Sequence, residues 1–155
     1  MTIRYRKSPR LKHFDYTGPY AYFLTLVTRS RHRAFASQLT VDLAVAALEE
    51  SLTKHRFTLH AYCFMPDHVH LLVAGDTNSD LRGFAHHFKT LTGFRYKKAI
   101  GRSLWQISYH DRVLRRDEEI HDVAAYIWHN PVRAGLVSDA AAYAFSGPRP
   151  LAGRL

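Results

Sequence analysis

Two β-prone runs, Phe57 to Met65 and His68 to Val73, are separated by nothing but Pro66-Asp67. Proline presets φ and aspartate bonds its own backbone, so this dipeptide supplies turn chemistry and the runs read as an antiparallel hairpin. In the second run, His68-Val69-His70 puts two imidazoles on one face, because side chains alternate along a strand. Val69, Leu71 and Val73 then point to the opposite face, which reads as core. Two convergent imidazoles on a rigid strand make half of a divalent-metal site. A strand that carries histidines without any metal fits the same pattern, so the rest of the chain has to be weighed.

The flanking segments place the hairpin in a fold. Tyr20 to Thr28 alternates aromatic and β-branched residues and reads as a strand, followed by the basic loop Arg29-Ser30-Arg31-His32-Arg33. Val41, Ala44, Val45, Leu48 and Leu52 fall at helical spacing, with Thr40 as N-cap. After the hairpin, Asn78, Ser79 and Asp80 are candidate caps for a helix with the apolar stripe Leu81, Phe84, Ala85, Phe88 and Leu91. Trp105 to Leu114 reads as a fourth strand. A third helix starts near Asp117, turns Ile120, Val123, Ala124 and Ile127 inward, and is limited by Pro131, since a residue preceding proline disfavours the α region. Strand, helix, strand, strand, helix, strand and an added helix make an α+β chain. The expected architecture is a ferredoxin-like split βαβ sandwich: an antiparallel four-stranded sheet with an added C-terminal helix. Residues 1–19 read as a basic N-terminal arm, 20–137 as one domain, and 138–155 as a tail without functional signal.

Charge narrows the partner. Lys and Arg total 22 against 13 acidic residues, a formal +9 over 155 residues, which favours a polyanion and nucleic acid before a membrane surface. The single cysteine, Cys63, cannot form an internal disulfide, which points to a reducing cytoplasm. No apolar stretch approaches the about 20 residues of a membrane helix, and no signal-peptide pattern opens the chain.

The third helix adds a second set of chemical groups. Asp122, Tyr126 and Asn130 recur every four residues and share a polar line beside the apolar stripe. A tyrosine hydroxyl can attack a phosphodiester and hold it covalently if a cation neutralises the phosphate. An amide oxygen of Asn130 could complete a metal site begun by His68 and His70. Amphipathic packing for Tyr126 and helix termination for Asn130 account for the same residues, and taken alone they do not decide. Neighbouring His129 points partly away from this line.

Three stretches, in this order, resemble a known family. They are Ala61-Tyr62-Cys63-Phe64-Met65-Pro66-Asp67-His68-Val69-His70-Leu71, then Leu104-Trp105-Gln106 leading into Tyr109-His110-Asp111-Arg112, then Tyr126-Ile127-Trp128-His129-Asn130-Pro131-Val132-Arg133-Ala134-Gly135-Leu136. Together they resemble the single-tyrosine HUH transposases of the IS200/IS605 type, with a closer likeness to the REP-associated tyrosine transposases. The resemblance implies that His68 and His70 bind Mg²⁺ or Mn²⁺, that Tyr126 is the nucleophile, and that 20–137 is the catalytic domain. Asn130 stands where the insertion-sequence branch carries a glutamine ligand. The implied substrate is single-stranded DNA with an imperfect hairpin and a flanking tetranucleotide that guides cleavage.

The implied reaction is transesterification through a 5′-phosphotyrosine, which conserves bond energy and lets a second 3′-hydroxyl rejoin strands. Free tyrosine has a pKa of about 10, so the hydroxyl needs activation. Candidate phosphate contacts are Arg4, Arg6, Lys7, Arg29, Arg31, Arg33, Lys97, Lys98, Arg112, Arg115 and Arg116. Trp105 and Tyr109 are candidate platforms for unpaired bases, though Trp105 also suits the core. A phosphodiesterase using water, and a non-catalytic hairpin-binding regulator descended from a transposase, are the competing readings. The expected setting is the cytoplasm, at the nucleoid. The expected form is a monomer or homodimer, with the monomer preferred.

Overall fold

A computed structural model describes residues 14–114 and 117–148. The hairpin forms as the sequence predicts. Strands β2 (Phe57–Met65) and β3 (His68–Gly75) pair antiparallel from Met65 opposite His68, around a turn made of Pro66 and Asp67. Strand β1 (Ala21–Val27) lies on the free side of β3, and β4 (His110–Leu114) lies beyond β1, both antiparallel to their neighbours. The helices are α1 (Gln38–His55), α2 (Leu81–Ile100) and α3 (Asp117–Arg133). This is the split βαβ order expected above.

The sheet has a fifth, two-residue strand, β5 (Ser146–Gly147), on the outer edge of β2, so its order is β4-β1-β3-β2-β5. Side chains without any periodic pattern bring this segment back. The Tyr143 hydroxyl donates to the Phe64 carbonyl at 2.5 Å, and the Trp128 indole donates to the Gly147 carbonyl at 3.0 Å. Neither bond is visible as a strand signal in the sequence.

The central strands β1 and β3 are covered on both faces, which is why every residue of β1 is buried. On one face, Tyr22, Leu24, Leu26, Val69, Leu71 and Val73 pack with Ala44 and Leu48 of α1 and Phe84 and Phe88 of α2. On the other, Phe23, Ala61, Cys63 and Leu72 meet Val123, Ala124 and Ile127 of α3. His68 and His70 belong to this second face, the one that carries the added helix. Among the described residues, no helix is long and apolar enough to cross a membrane.

Three local expectations are corrected. Helix α1 begins at Gln38 rather than being capped by Thr40, which is buried inside the first turn. Only His110–Leu114 of the fourth segment is a strand; Trp105 makes one isolated bridge to Thr28, and its indole donates to the Thr92 hydroxyl at 2.7 Å. Helix α3 runs through Pro131 to Arg133. Proline removes its own N–H, here the bond to the Ile127 carbonyl, and its ring crowds that carbonyl, but the helix ends within a turn of it. The stop comes at Gly135, which takes φ +76° while Gly135 N–H and Leu136 N–H donate to the carbonyls of Val132 and Pro131. This is a Schellman cap, and only glycine adopts that φ without steric cost.

Candidate active site

Strand register positions the two histidines. His70 stands opposite Thr25 of β1 on one side and Cys63 of β2 on the other; Thr25 in turn stands opposite His110 of β4. Since paired residues share a face, Cys63, His70, Thr25 and His110 form one row across the sheet, with His68 and Val27 in the next row. The His68 and His70 rings lie 4.7 Å apart, centroid to centroid.

Each imidazole is held through Nδ1. His68 Nδ1 lies 2.7 Å from Asp67 Oδ1, and His70 Nδ1 lies 2.8 Å from Thr25 Oγ1. An ionised carboxylate only accepts, so His68 carries its proton on Nδ1 and leaves Nε2 as the acceptor nitrogen. Burial pushes the His68 imidazole below its ordinary pKa, against the opposing pull of Asp67. His70 is driven well below by burial, and then by the proximity of His68, which disfavours charging both rings, and of the Arg133 cation. Burial alone would raise the Asp67 carboxyl, but its bonds to His68 and Arg31 outweigh that and hold it low. Two neutral, oriented imidazoles are the form in which histidine binds a metal.

Helix α3 closes the other side. A cleft of about 290 Å³ is lined by Thr25, Val27, Arg31, His68, His70, His110, Tyr126 and Asn130. The Tyr126 ring lies 6.3 Å from the His70 ring and 6.1 Å from Phe23, centroid to centroid. Tyr126 and Asn130 therefore face the histidines, whereas Asp122 and His129 on the same helix are exposed and outside the cleft. Among the described residues, no third His, Cys, Asp or Glu joins the histidines closely enough to hold a metal. The Asn130 amide oxygen is the protein group that could join them. Two imidazoles and an amide suit a divalent ion whose remaining positions are taken by water or phosphate oxygens.

The basic residues separate into groups. Arg31 lines the cleft and reaches Asp67 Oδ2 at 3.2 Å, with Arg29 and Arg33 exposed in the same loop. Lys97 and Lys98 are exposed in the last turn of α2, which the loop touches through His32 Nε2 and the Tyr96 hydroxyl at 3.1 Å. Lys97 also lines a separate groove of about 580 Å³ with Arg82, His86, Lys89, Trp105 and Tyr109. Arg112 on β4 is paired with Glu119 of α3 at 3.7 Å. Arg4, Arg6, Lys7, Arg115 and Arg116 lie outside the described residues. Sequence reasoning gave no role to Thr25, His110 or Arg133, and read Asp67 only as a turn residue. Asp67 had a signal, its position beside His68, and His110 had one in the stretch Tyr109-His110-Asp111-Arg112; Thr25 had none, since register alone brings it to the site.

A strand histidine pair facing a helix-borne tyrosine across a ferredoxin-like sheet now has a family. Residues 18–130 match the model described as Transposase IS200 like, and the chain belongs to that family, whose members are DNA-acting transposases. Within it, the chain is similar to a Haemophilus influenzae protein provisionally named a REP-associated tyrosine transposase, at 24% identity over 135 residues, covering 79% of this chain and 76% of that one. Among solved structures it is similar to a REP-associated tyrosine transposase bound to a REP hairpin, with TM-score 0.75 and 19% identity over 90% of this chain and 82% of that one. It is also similar to a provisionally named transposase from Deinococcus radiodurans, with TM-score 0.56 and 23% identity over 76% and 95%. At such identities the structural likeness carries the fold.

Proposed function

We propose that the chain is a metal-dependent single-stranded DNA endonuclease and strand transferase that works through Tyr126. The observation that carries this reading is the single cleft in which β3 presents His68 and His70 while α3 presents Tyr126 and Asn130. His68, His70 and Asn130 would hold Mg²⁺ or Mn²⁺. When bound, such an ion supplies charge neutralisation at a scissile phosphate. The Tyr126 oxygen attacks phosphorus in line, a P–O bond to tyrosine forms, and the bond to the 3′ oxygen breaks. The phenol proton ends on the departing 3′-hydroxyl, leaving a 5′-phosphotyrosine. Attack by another 3′-hydroxyl reverses the sequence and joins strands, with no nucleotide cofactor consumed.

Hairpin DNA with a flanking guide tetranucleotide is the proposed substrate. The formal +9 charge, the Haemophilus relative's name and the hairpin in the solved neighbour support it. Arg31 in the cleft, with Arg29, Arg33, Lys97 and Lys98 exposed, would contact the phosphate backbone. One chain supplies both the histidines and the tyrosine, and α3 packs on its own sheet through Val123, Ala124 and Ile127, which supports a monomer as the acting unit. The proposed setting is the cytoplasm, at the nucleoid.

The test is a denaturing gel of the protein with labelled hairpin DNA and Mn²⁺, beside Tyr126→Phe and His68→Ala. A covalent adduct lost in both variants is the expected result. Cleavage that persists in Tyr126→Phe without an adduct would instead mark a nuclease that uses water. Hairpin binding with no cleavage under any condition would mark a DNA-binding regulator.

A further inference from the structure

Arg133 stands seven residues after Tyr126, two helical turns along the same face. Its guanidinium carbon sits over the Tyr126 ring, 4.1 Å from the centroid, and its Nη2 donates to the Tyr126 carbonyl. Phe23 and His70 bound the same ring from the sheet side. Tyr126 is thus enclosed between the sheet and one exposed cation, its main chain and its ring tied to the same guanidinium.

The backbone of Arg133 is itself held in place. It is the last residue of α3, directly before the cap in which Gly135 and Leu136 bond back to Val132 and Pro131. Pro131 leaves the Ile127 carbonyl without its ladder partner, and Arg133 donates to the carbonyl next to it, that of Tyr126. A planar fork can stack on a ring and donate to a carbonyl together, whereas an ammonium cannot cover the ring in the same way.

We infer that Arg133 is the positioning residue for Tyr126, fixing the ring beside His70 in the orientation from which its hydroxyl enters the cleft. This rests on the proposed nucleophilic role of Tyr126. No sequence pattern singles Arg133 out, since a basic residue in the last helical turn is already accounted for by the helix dipole.

Two readouts test it, one of them independent of activity. In protein labelled with 3-fluorotyrosine, the Tyr126 ¹⁹F resonance is assigned by its loss in Tyr126→Phe. Arg133→Ala is expected to move and broaden that resonance while the other tyrosine resonances stay in place, which also reports that the variant is folded. In single-turnover assays at saturating hairpin DNA with Mn²⁺, Arg133→Ala is expected to slow adduct formation about tenfold or more, as misplacement of a reacting group does. Hairpin affinity should change less than about threefold, the scale of one lost phosphate contact at most. Arg133→Lys should restore little of either readout.

An unmoved Tyr126 resonance in Arg133→Ala would overturn the inference. So would a wild-type adduct rate at saturating DNA, or full recovery in Arg133→Lys, which would reduce the role to bare charge. A shifted resonance in a protein whose wild type forms no adduct would uphold the placement of the ring and refute the nucleophile.

Discussion

Asp67 shows how much one residue contributes at this site. It closes the β2–β3 turn, accepts from His68 Nδ1 and pairs with Arg31, so the same carboxylate orients the His68 ring and ties the basic loop to the cleft. Replacing it with asparagine keeps the size but removes the charge and the acceptor-only character that sets the His68 tautomer. Asp67→Asn is expected to weaken Mn²⁺ binding about 10- to 100-fold, measured by titration calorimetry at pH 7. The neutral state of His68 and His70 makes a further prediction about protons. Burial holds both imidazoles below their ordinary value, so at pH 7 both are predominantly neutral. Mn²⁺ binding should then release close to zero protons, seen as a binding enthalpy that does not depend on the buffer's ionisation enthalpy. Substantial proton release would contradict the burial argument.

Among the elements, α3 joins packing to chemistry. Its inner face is anchored by Val123, Ala124 and Ile127, and its next face delivers Tyr126 and Asn130. Ile127 is fully buried, so Ile127→Ala removes transfer energy and leaves a cavity where helix meets sheet. The expected loss is about 2–5 kcal/mol in urea denaturation. Adduct formation should fall in Ile127→Ala even at temperatures where the variant is folded, since Ile127 anchors on the sheet the helix that carries Tyr126. The helix was legible in the sequence from its spacing, and so was the shared face of Tyr126 and Asn130. Its C-terminus was not, because the proline argument weighs only local backbone sterics. The helix runs past that point to the cap at Gly135, with Trp128 bonded to Gly147 of β5.

For the whole molecule, pH and salt are the informative variables. His55 and His60 are lowered, chiefly by burial and then by His87 and His121 respectively, and His68 and His70 are lowered as well. A group with a depressed folded-state pKa binds protons more readily unfolded. Its stabilising contribution is therefore present above about 6.5, the unfolded imidazole value, and is lost as pH falls through the folded value. Lowered Asp67 and Asp76 act in the same direction at still lower pH. Denaturation midpoints should thus decline steadily as pH drops below about 6.5, and His60→Gln should flatten part of that decline. An unchanged slope in His60→Gln would remove His60 from the account. DNA affinity should fall steeply with salt, with a log–log slope of about −0.7 per phosphate contacted, and Arg31→Ala should make it shallower by roughly one contact.

The hairpin, the face shared by His68 and His70, the helical line joining Tyr126 to Asn130 and the excess of basic charge all follow from local periodicity and composition, and the sequence alone determined them. Such features depend on neighbours within a turn or two of the chain, where strand and helix repeats are set by backbone geometry. Tertiary structure alone decided that Thr25 and His110 stand in the His70 row, that Arg133 lies over Tyr126, and that a fifth strand seals the edge of β2. Those are matters of register and of packing between segments distant in sequence. A one-residue slip of β1 against β3 would have turned Thr25 to the opposite face, and only the filling of two cores at once, above and below the sheet, excludes it.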